Sequence, residues 1–503
     1  MGADVLRAGG NAVDGALGAM LASFACEPLL TGLGAGGYML VVPPGRAPAL
    51  LDFFVQTPGE GADPASRGDL VPISVSFGDA VQVFNIGVAS VGVYGMPAGL
   101  CAAAARFGRI PLADLVRPAA ALARDGVELS VEQAYVIELL GDIATATPAS
   151  SALFAPEGNL LRAGDTLEQP DLADALERLG AEGAAPFYTG DIGSAIAGWV
   201  MARGGMLTEA DLESYEVLDR EPVRVSYRGR EVFTNPPPSA GGILIARALA
   251  LLGDFEGPPP IERVVSVMER TQNERTSEFL VGLDDPRFVE QFLRGQEGPG
   301  PDVTGSGEGR TSGQGQRGRL GSTTHVAVLD RDGWACSATC SNGSCSGVIV
   351  PGTGVHLNNM LGEQDLNPLG FHRHPVGRRL PSMMAPTIVL SAGNEPELVL
   401  GSAGSNRIRS AILQTIIRAI DDRLEAGAAV RAPRVHFEDG VVYAEPGIDT
   451  RALQSAGRTI GRFREPNLFF GGVQAVARDR AGRFSGGGDP RRGGAAIVVE
   501  GHG

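Results

Sequence analysis

The sequence predicts an α+β fold in which two sheets pack face to face between helices, a four-layer αββα sandwich. One reason is the density of strand patterns late in the chain: Thr324 to Leu329, Trp334 to Cys340, Ala385 to Leu390 and Leu398 to Gly401. A second is the helical spacing of apolar residues on either side of them, over 3–27 and again from Arg407 to Ala426. The third is a junction. From Gln296 to Ser322, nine of 27 positions are Gly and only Val303 and Leu320 are large and apolar, too little to offset chain entropy, so a flexible tail is expected over 296–322. It ends abruptly at Thr323-Thr324-His325-Val326-Ala327-Val328-Leu329-Asp330, which reads as a buried strand and an Asp-Arg-Asp-Gly turn.

Taken in order, Gly9-Gly10-Asn11 marks a turn that starts a largely apolar helix. Gly32-Leu33-Gly34-Ala35-Gly36-Gly37 follows that helix and precedes the strand Tyr38 to Val42. A dinucleotide fingerprint has the opposite order, strand first and helix after, so close backbone packing is the better reading. Val91 to Leu140 alternates Gly-Met-Pro turns with Ala-rich helices, and Asp171 to Leu179 and Asp191 to Ala202 add two more helical patterns. Three successive prolines in Asn235-Pro236-Pro237-Pro238-Ser239-Ala240-Gly241-Gly242 require a rigid loop before the helix Ile243 to Leu252. Residues 261–294 read as one or two helices, and late strands are expected near Val441 and over Gln474 to Asp479. There is no internal repeat.

Composition narrows the function. A formal charge of −16, with no lysine among the 42 basic residues, argues against nucleic acid as a partner. No apolar run reaches the length of a membrane-spanning helix. Five cysteines in 503 residues do not make a disulfide framework, and Cys336, Cys340 and Cys345 lack the ligand spacing of a zinc site. They are expected as small buried residues; a Cys340–Cys345 bridge in an oxidising compartment is the alternative. His372-Arg373-His374 has no acidic or Cys partner close in sequence, so no metal and no cofactor is expected.

The 322/323 junction carries chemistry. Cleavage between Ser322 and Thr323 would free an α-amine of pKa about 8 beside its own hydroxyl, so one residue would supply both nucleophile and base. An ordinary long surface loop between two strands is the alternative.

Thr323-Thr324-His325 followed by an apolar strand and Asp-x-Asp-Gly resembles the small-subunit start of the γ-glutamyltransferase family, members of the N-terminal nucleophile hydrolases. Similar strings run in the family's order from Gly9-Gly10-Asn11-Ala12-Val13-Asp14 to Gly401-Ser402-Ala403-Gly404 and cover most of the chain. The resemblance implies a sandwich of the N-terminal nucleophile hydrolase type. It divides the chain into a large-subunit portion 1–322 with its tail 296–322 and a small-subunit portion 323–503, paired in one intertwined catalytic domain.

The resemblance also assigns residues. Thr323 is the nucleophile, and Ser322 with Thr323 flanks the cleaved bond. Gly404 and Ser405 form the oxyanion pair; Ser405 stands where the family usually has Gly, but a backbone donor survives the change. The bland alternative there is a helix cap by Ser405 or Asn406. Ser341 and Asn342 lie where the family places a hydroxyl that orients the nucleophile and an Asn on the α-carboxylate. Asn358-Asn359-Met360-Leu361-Gly362-Glu363 resembles the string that binds the substrate ammonium, with Glu363 as the surviving acid. Arg378 to Thr387 resembles a paired-Ser loop in which Ser382 remains and Met383 replaces the second Ser. Phe54 stands where an Arg usually pairs with the α-carboxylate. Phe54, Met360 and Met383 together imply a more apolar acyl pocket, so either another Arg reaches the carboxylate or the substrate has none there. His325 is expected to make a structural hydrogen bond, facing opposite to Thr324.

The main expectation is therefore an autoprocessed enzyme that cleaves γ-glutamyl amides such as glutathione and passes the acyl group to water or an amine. The alternatives are an acylase for non-zwitterionic acyl amides, similar to the cephalosporin acylases, and an unprocessed binding homologue. A small-molecule amide is the expected partner, with homo-oligomers open. Met1-Gly2-Ala3-Asp4 leads straight into a helix pattern without a signal, so the cytoplasm is expected for the chain as written, although the family is usually exported. The family's initial strand ahead of the first helix is also missing from the sequence as written.

Overall fold

The computed structural model describes residues 1–76, 81–295 and 323–500. The expected tail 296–322, with Ser322, lies outside the described residues. In chain order the strands that build the two principal sheets are β1 (Gly36–Val42), β2 (Ala49–Phe53), β3 (Leu218–Arg220), β4 (Val223–Tyr227), β5 (Arg230–Thr234), β6 (Thr324–Leu329), β7 (Ala335–Ser341), β8 (Thr387–Leu390), β9 (Pro396–Ala403), β10 (Gly472–Arg478) and β11 (Phe484–Gly488). One sheet runs β6-β7-β1-β2-β3 and the other β11-β10-β9-β8-β5-β4. Neighbours in both are antiparallel.

Helix α2 (Ala12–Cys26), with α1 (Gly2–Arg7) packed against it, lies on the first sheet, and α3 (Ala240–Gly253) and α4 (Arg407–Ile420) on the second. The layers are thus α, β, β, α, as the sequence predicts. Strand β1 shows why its residues are apolar throughout. Tyr38, Leu40 and Val42 enter the core on one face and Met39 and Val41 the core on the other, as a doubly covered strand requires. Ser337 on β7 ties the sheets together, donating to the Leu400 carbonyl at 2.9 Å and accepting from the Thr387 N–H at 3.0 Å.

The expected turn at Gly9-Gly10-Asn11 separates α1 from α2. Asn11 Oδ1 accepts from the Val13 and Asp14 N–H groups at 2.9 and 3.0 Å, and Asp14 Oδ2 accepts from the Asn11 N–H at 2.9 Å. This capping box starts α2, which is buried on nearly every side. Residues 261–294 form three helices, Ile261–Asn273, Ser277–Gly282 and Pro286–Arg294, because Thr276 and Asp285 each cap a new start. The expected helix Arg407 to Ala426 stops at Ile420, where Arg423 adopts a left-handed φ of 56°, and a second helix begins at Ala426. Cys336, Cys340 and Cys345 are buried free thiols. Among the described residues no helix is long and apolar enough to cross a membrane.

The segment after β11 is anchored by buried ions. Arg434 Nη1 lies 2.7 Å from Asp489 Oδ2, Arg491 Nη1 lies 3.1 Å from Asp489 Oδ1, and Arg491 also pairs with Glu445. Removing one partner leaves the other charges buried without compensation. Glu445→Ala should therefore lower the unfolding free energy by about 3 to 5 kcal/mol, read as a lower denaturant midpoint at unchanged slope.

Candidate active site

The register of β6 on β7 sets the geometry. Thr324 pairs with Cys340 and His325 with Thr339, so the next position brings Thr323 opposite Ser341. Thr323 is buried, and its Oγ1 donates to Ser341 Oγ at 3.4 Å. Ser341 Oγ also accepts from the Gly343 N–H at 2.9 Å. Strand alternation sends Thr324 the other way, where its hydroxyl donates to Glu27 Oε2 at 2.6 Å. Thr323 opens onto a cavity of about 830 Å³ that Glu27, Leu29, Tyr135, Ala403 and Arg492 also line.

His325 behaves as expected of a structural residue. Its Nδ1 lies 2.8 Å from Thr339 Oγ1, and burial pushes its pKa down to about 3, so the ring stays neutral. Gly401 of β9 packs against that ring; a methyl group there would lie 2.2 Å from His325 Cε1.

From Ser341 the chain turns through Asn342, Gly343 and Ser344 toward Glu363. The Ser344 N–H donates to Glu363 Oε1 at 3.1 Å and to Asn359 Oδ1 at 2.8 Å, and Asn359 Nδ2 donates to Ser344 Oγ at 2.7 Å. Gly343 has φ of 69°, and a Cβ there would meet Asn359 Oδ1 at 2.1 Å and Glu363 Oε1 at 3.2 Å, so only glycine fits. Burial and the nearby Asp365 charge raise the Glu363 pKa to about 7, against the opposing bonds from Asn359 and Ser344. Thr323, Ser341 and Glu363 are thus joined through one tight loop. Asn342 is buried in the same loop, donating from Nδ2 to the His356 carbonyl at 3.4 Å. The Gly-rich segment before β1 packs closely, as expected: a Cβ on Gly34 would lie 2.3 Å from the His356 oxygen.

The loop between β9 and α4 carries Gly404, with φ of 124°, and Ser405, with φ of 52°. Among the described residues, neither N–H has a backbone acceptor. Neither Ser405 nor Asn406 caps α4 with its side chain. Ser405 Oγ donates instead to Asp365 Oδ2, and Asn406 Nδ2 donates to Glu438 Oε1 at 2.9 Å and to Asp365 Oδ1 at 3.3 Å. Burial acts against the Glu438 charge, but His436, Arg407 and Asn406 outweigh it and hold the carboxyl well below its usual range. The loop is therefore tied from below to the segment that bears Glu363.

Of the expected site residues that are described, only Thr323 lines the cavity; Ser341, Asn342, Glu363, Gly404 and Ser405 are not part of its wall, and neither are the remaining ones. Phe54 stacks on Tyr38 with ring centroids 5.2 Å apart, and its carbonyl accepts from Tyr215 Oη at 2.8 Å. Phe54, Met360 and Met383 belong to one buried apolar cluster, and none of the three lines that cavity. Ser382 is buried in a loop clamped to the proline-rich segment. Its carbonyl accepts from the Ala240 N–H and Ser239 Oγ, both at 2.9 Å, and its Oγ accepts from the Met384 N–H at 2.9 Å. Arg379 is buried over the Tyr215 ring at 4.2 Å, with Nη1 donating to Gln56 Oε1 at 3.2 Å. Sequence reasoning missed Glu27, Asp365 and Arg492. An acid closing an apolar helix just before Pro28 was the one available signal.

Comparison with known proteins adds the relatives. Residues 1–499 match the family model described as Gamma-glutamyltranspeptidase. The acylase ACY 1 proenzyme of Pseudomonas sp. strain SE83 is 31% identical over 519 residues, covering 99% of this chain and 91% of the relative. The glutathione hydrolase proenzyme of Escherichia coli strain K12 is 31% identical over 525 residues, covering 98% of this chain and 88% of the relative. Among solved structures, cephalosporin acylase from Bacillus halodurans superposes with a TM-score of 0.80 at 25% identity, over 100% of this chain and 94% of that one.

The His325 packing gives a test. Gly401→Ala must push the buried ring off Thr339 or shift β9, at a cost of about 1 to 3 kcal/mol. A fall in melting temperature of several degrees is expected, whereas Gly440→Ala on an exposed turn should fall less, since only its φ of 79° opposes the change.

Proposed function

The chain belongs to the γ-glutamyltranspeptidase family, and from that membership we propose that it is an autoprocessed acyl-transfer enzyme acting on γ-glutamyl amides such as glutathione. The observation that carries the reading is buried Thr323 at the head of a half-buried edge strand, with its hydroxyl on Ser341 and a cavity before it. Cleavage at the 322/323 bond frees the α-amine. Thr323 Oγ then attacks the amide carbon while that amine takes the proton. The N–H groups of Gly404 and Ser405 receive the negative oxygen of the tetrahedral intermediate. The amine returns the proton to the leaving nitrogen, and water or an amine resolves the acyl-enzyme. The two pieces, 1–322 and 323–503, stay paired through the sheets they share.

Glu363 receives the substrate ammonium in this reading, and Ser341 orients the nucleophile. Asn342 and Ser382 shape the acyl side from their clamped loops. A second reading, an acylase for non-zwitterionic amides, is favoured by Phe54, Met360 and Met383 sharing one apolar cluster and by Arg379 being engaged elsewhere. The acylase relatives are consistent with it.

Intact mass separates these readings from an unprocessed homologue. Purified protein should give a short piece starting at Thr323, and Thr323→Ala should remain one chain near 52.0 kDa without turnover. Turnover by Thr323→Ala, or a different first residue, defeats the mechanism. Glu363 discriminates between the substrates. Its carboxyl ionises only as pH rises through about 7, so KM for a γ-glutamyl anilide should fall across that range. KM for the des-amino glutaryl anilide should stay flat. Glu363→Gln should raise the first KM about tenfold or more and remove its pH dependence, a charge-assisted bond being worth roughly 1.5 to 3 kcal/mol. Equal rates on both anilides in wild type would favour the acylase reading.

A further inference from the structure

We propose that Glu27 is a positioning residue for the nucleophile: through the Thr324 hydroxyl it fixes the head of β6, and its carboxylate places negative charge where the α-amine of Thr323 is freed. The inference rests on Thr323 being that nucleophile. Its support is geometric. Glu27 Oε2 accepts from Thr324 Oγ1 at 2.6 Å, and Glu27 lines the same cavity as Thr323.

The position is costly for a carboxylate. Glu27 is the C-cap of α2, where the helix dipole presents its negative end, and burial raises its pKa. The compensating groups are the Thr324 hydroxyl and the charge of Arg492, whose residue lines the cavity as well. Both belong to the surroundings of the nucleophile and neither to α2. A buried acid that opposes its own helix and is offset by groups that line the Thr323 cavity is better explained by chemistry than by folding.

The groups around it define the pH argument. Thr324 faces Glu27 from β6 and Arg492 from the segment after β11; Cys26 and Cys340 lie close on α2 and β7, both with raised pKa and so uncharged near neutrality. The N-terminal amine acts on Cys26, and Glu132 and Arg491 share the cavity wall. A carboxylate near an ammonium favours the protonated form. Glu27 therefore holds the α-amine pKa up, and losing its charge lowers that pKa.

The test uses the processed protein and a γ-glutamyl anilide. Glu27→Gln keeps an acceptor for Thr324 and removes the charge, so the acid limb of kcat/KM should move down by about one pH unit. In parallel, Thr324→Val should lower kcat severalfold with little change in KM, and Thr324→Ser should restore it. An unmoved acid limb in active Glu27→Gln overturns the proposal. Should that variant fail to mature, full kcat in Thr324→Val overturns it equally. A short piece that does not begin at Thr323 sinks the nucleophile reading itself, which mass measurement of wild type detects independently.

Discussion

The pairing register of β6 on β7 is the constraint on which the site depends. It sets Thr323 against Ser341, turns His325 inward onto Gly401, and sends Thr324 outward to Glu27. A slip of one residue would exchange these faces, placing the Thr323 hydroxyl toward α2 and a second threonine where the imidazole now packs. Neither exchange is tolerable. Gly401 makes a cavity shaped for a ring, and Thr339 supplies its hydrogen bond. His325 is therefore part of how Thr323 is located.

A second level of order lies beneath the reactive end. Asp365 accepts from Ser405 on the β9–α4 loop and, as a neighbouring negative charge, raises the Glu363 pKa. Glu438 grips Asn406 and is itself held ionised by Arg407 and His436. The loop with two positive φ values is thus tied by its side chains instead of by a conventional cap, which leaves its N–H groups free of side-chain competition. A glycine at 405 would adopt the same φ more easily but would lose the tie to Asp365. Serine in the left-handed region makes sense as an exchange of backbone ease for a fixed loop.

Much of this was legible in the sequence, for reasons that differ between parts. The order of layers could be read because β1 and α2 carry apolar residues at the periods their two-sided burial demands, whereas β6, read as a buried strand, is a half-buried edge strand. The junction at Thr323 could be read because polar, Gly-rich composition changes to strand composition within two residues. Helix boundaries near 273, 285 and 420 were harder, being set by single caps or one left-handed residue that an apolar pattern spans without interruption. Strands β3 to β5 were not distinguished at all; their partly exposed residues alternate weakly around two short turns. The resemblance located Glu363 but not Asp365 beside it, since the role of Asp365 arises from contact with a loop forty residues on.

The charges around Thr323 fall into two sets with opposite duties. On one side, Glu363 is buried with a pKa near neutrality, so its carboxylate is readily discharged unless a cation arrives to stabilise it. Binding an ammonium there would pull the proton off, coupling substrate entry to proton release. On the other side, burial raises the Glu27 pKa, and the Thr324 hydroxyl and the Arg492 charge oppose that shift without any ligand. A group that waits for a cation is suited to selecting substrate, and one with fixed partners in the protein is suited to acting on a neighbouring group. Removing the ammonium from the substrate would therefore cost little at Glu363 near or below pH 7, where the acid can stay neutral. On the proposed roles, one scaffold would accommodate both γ-glutamyl and simpler acyl groups: Thr323, the Gly404 and Ser405 N–H groups and Glu27 would be indifferent to the head group, and only the titrating acid would read it.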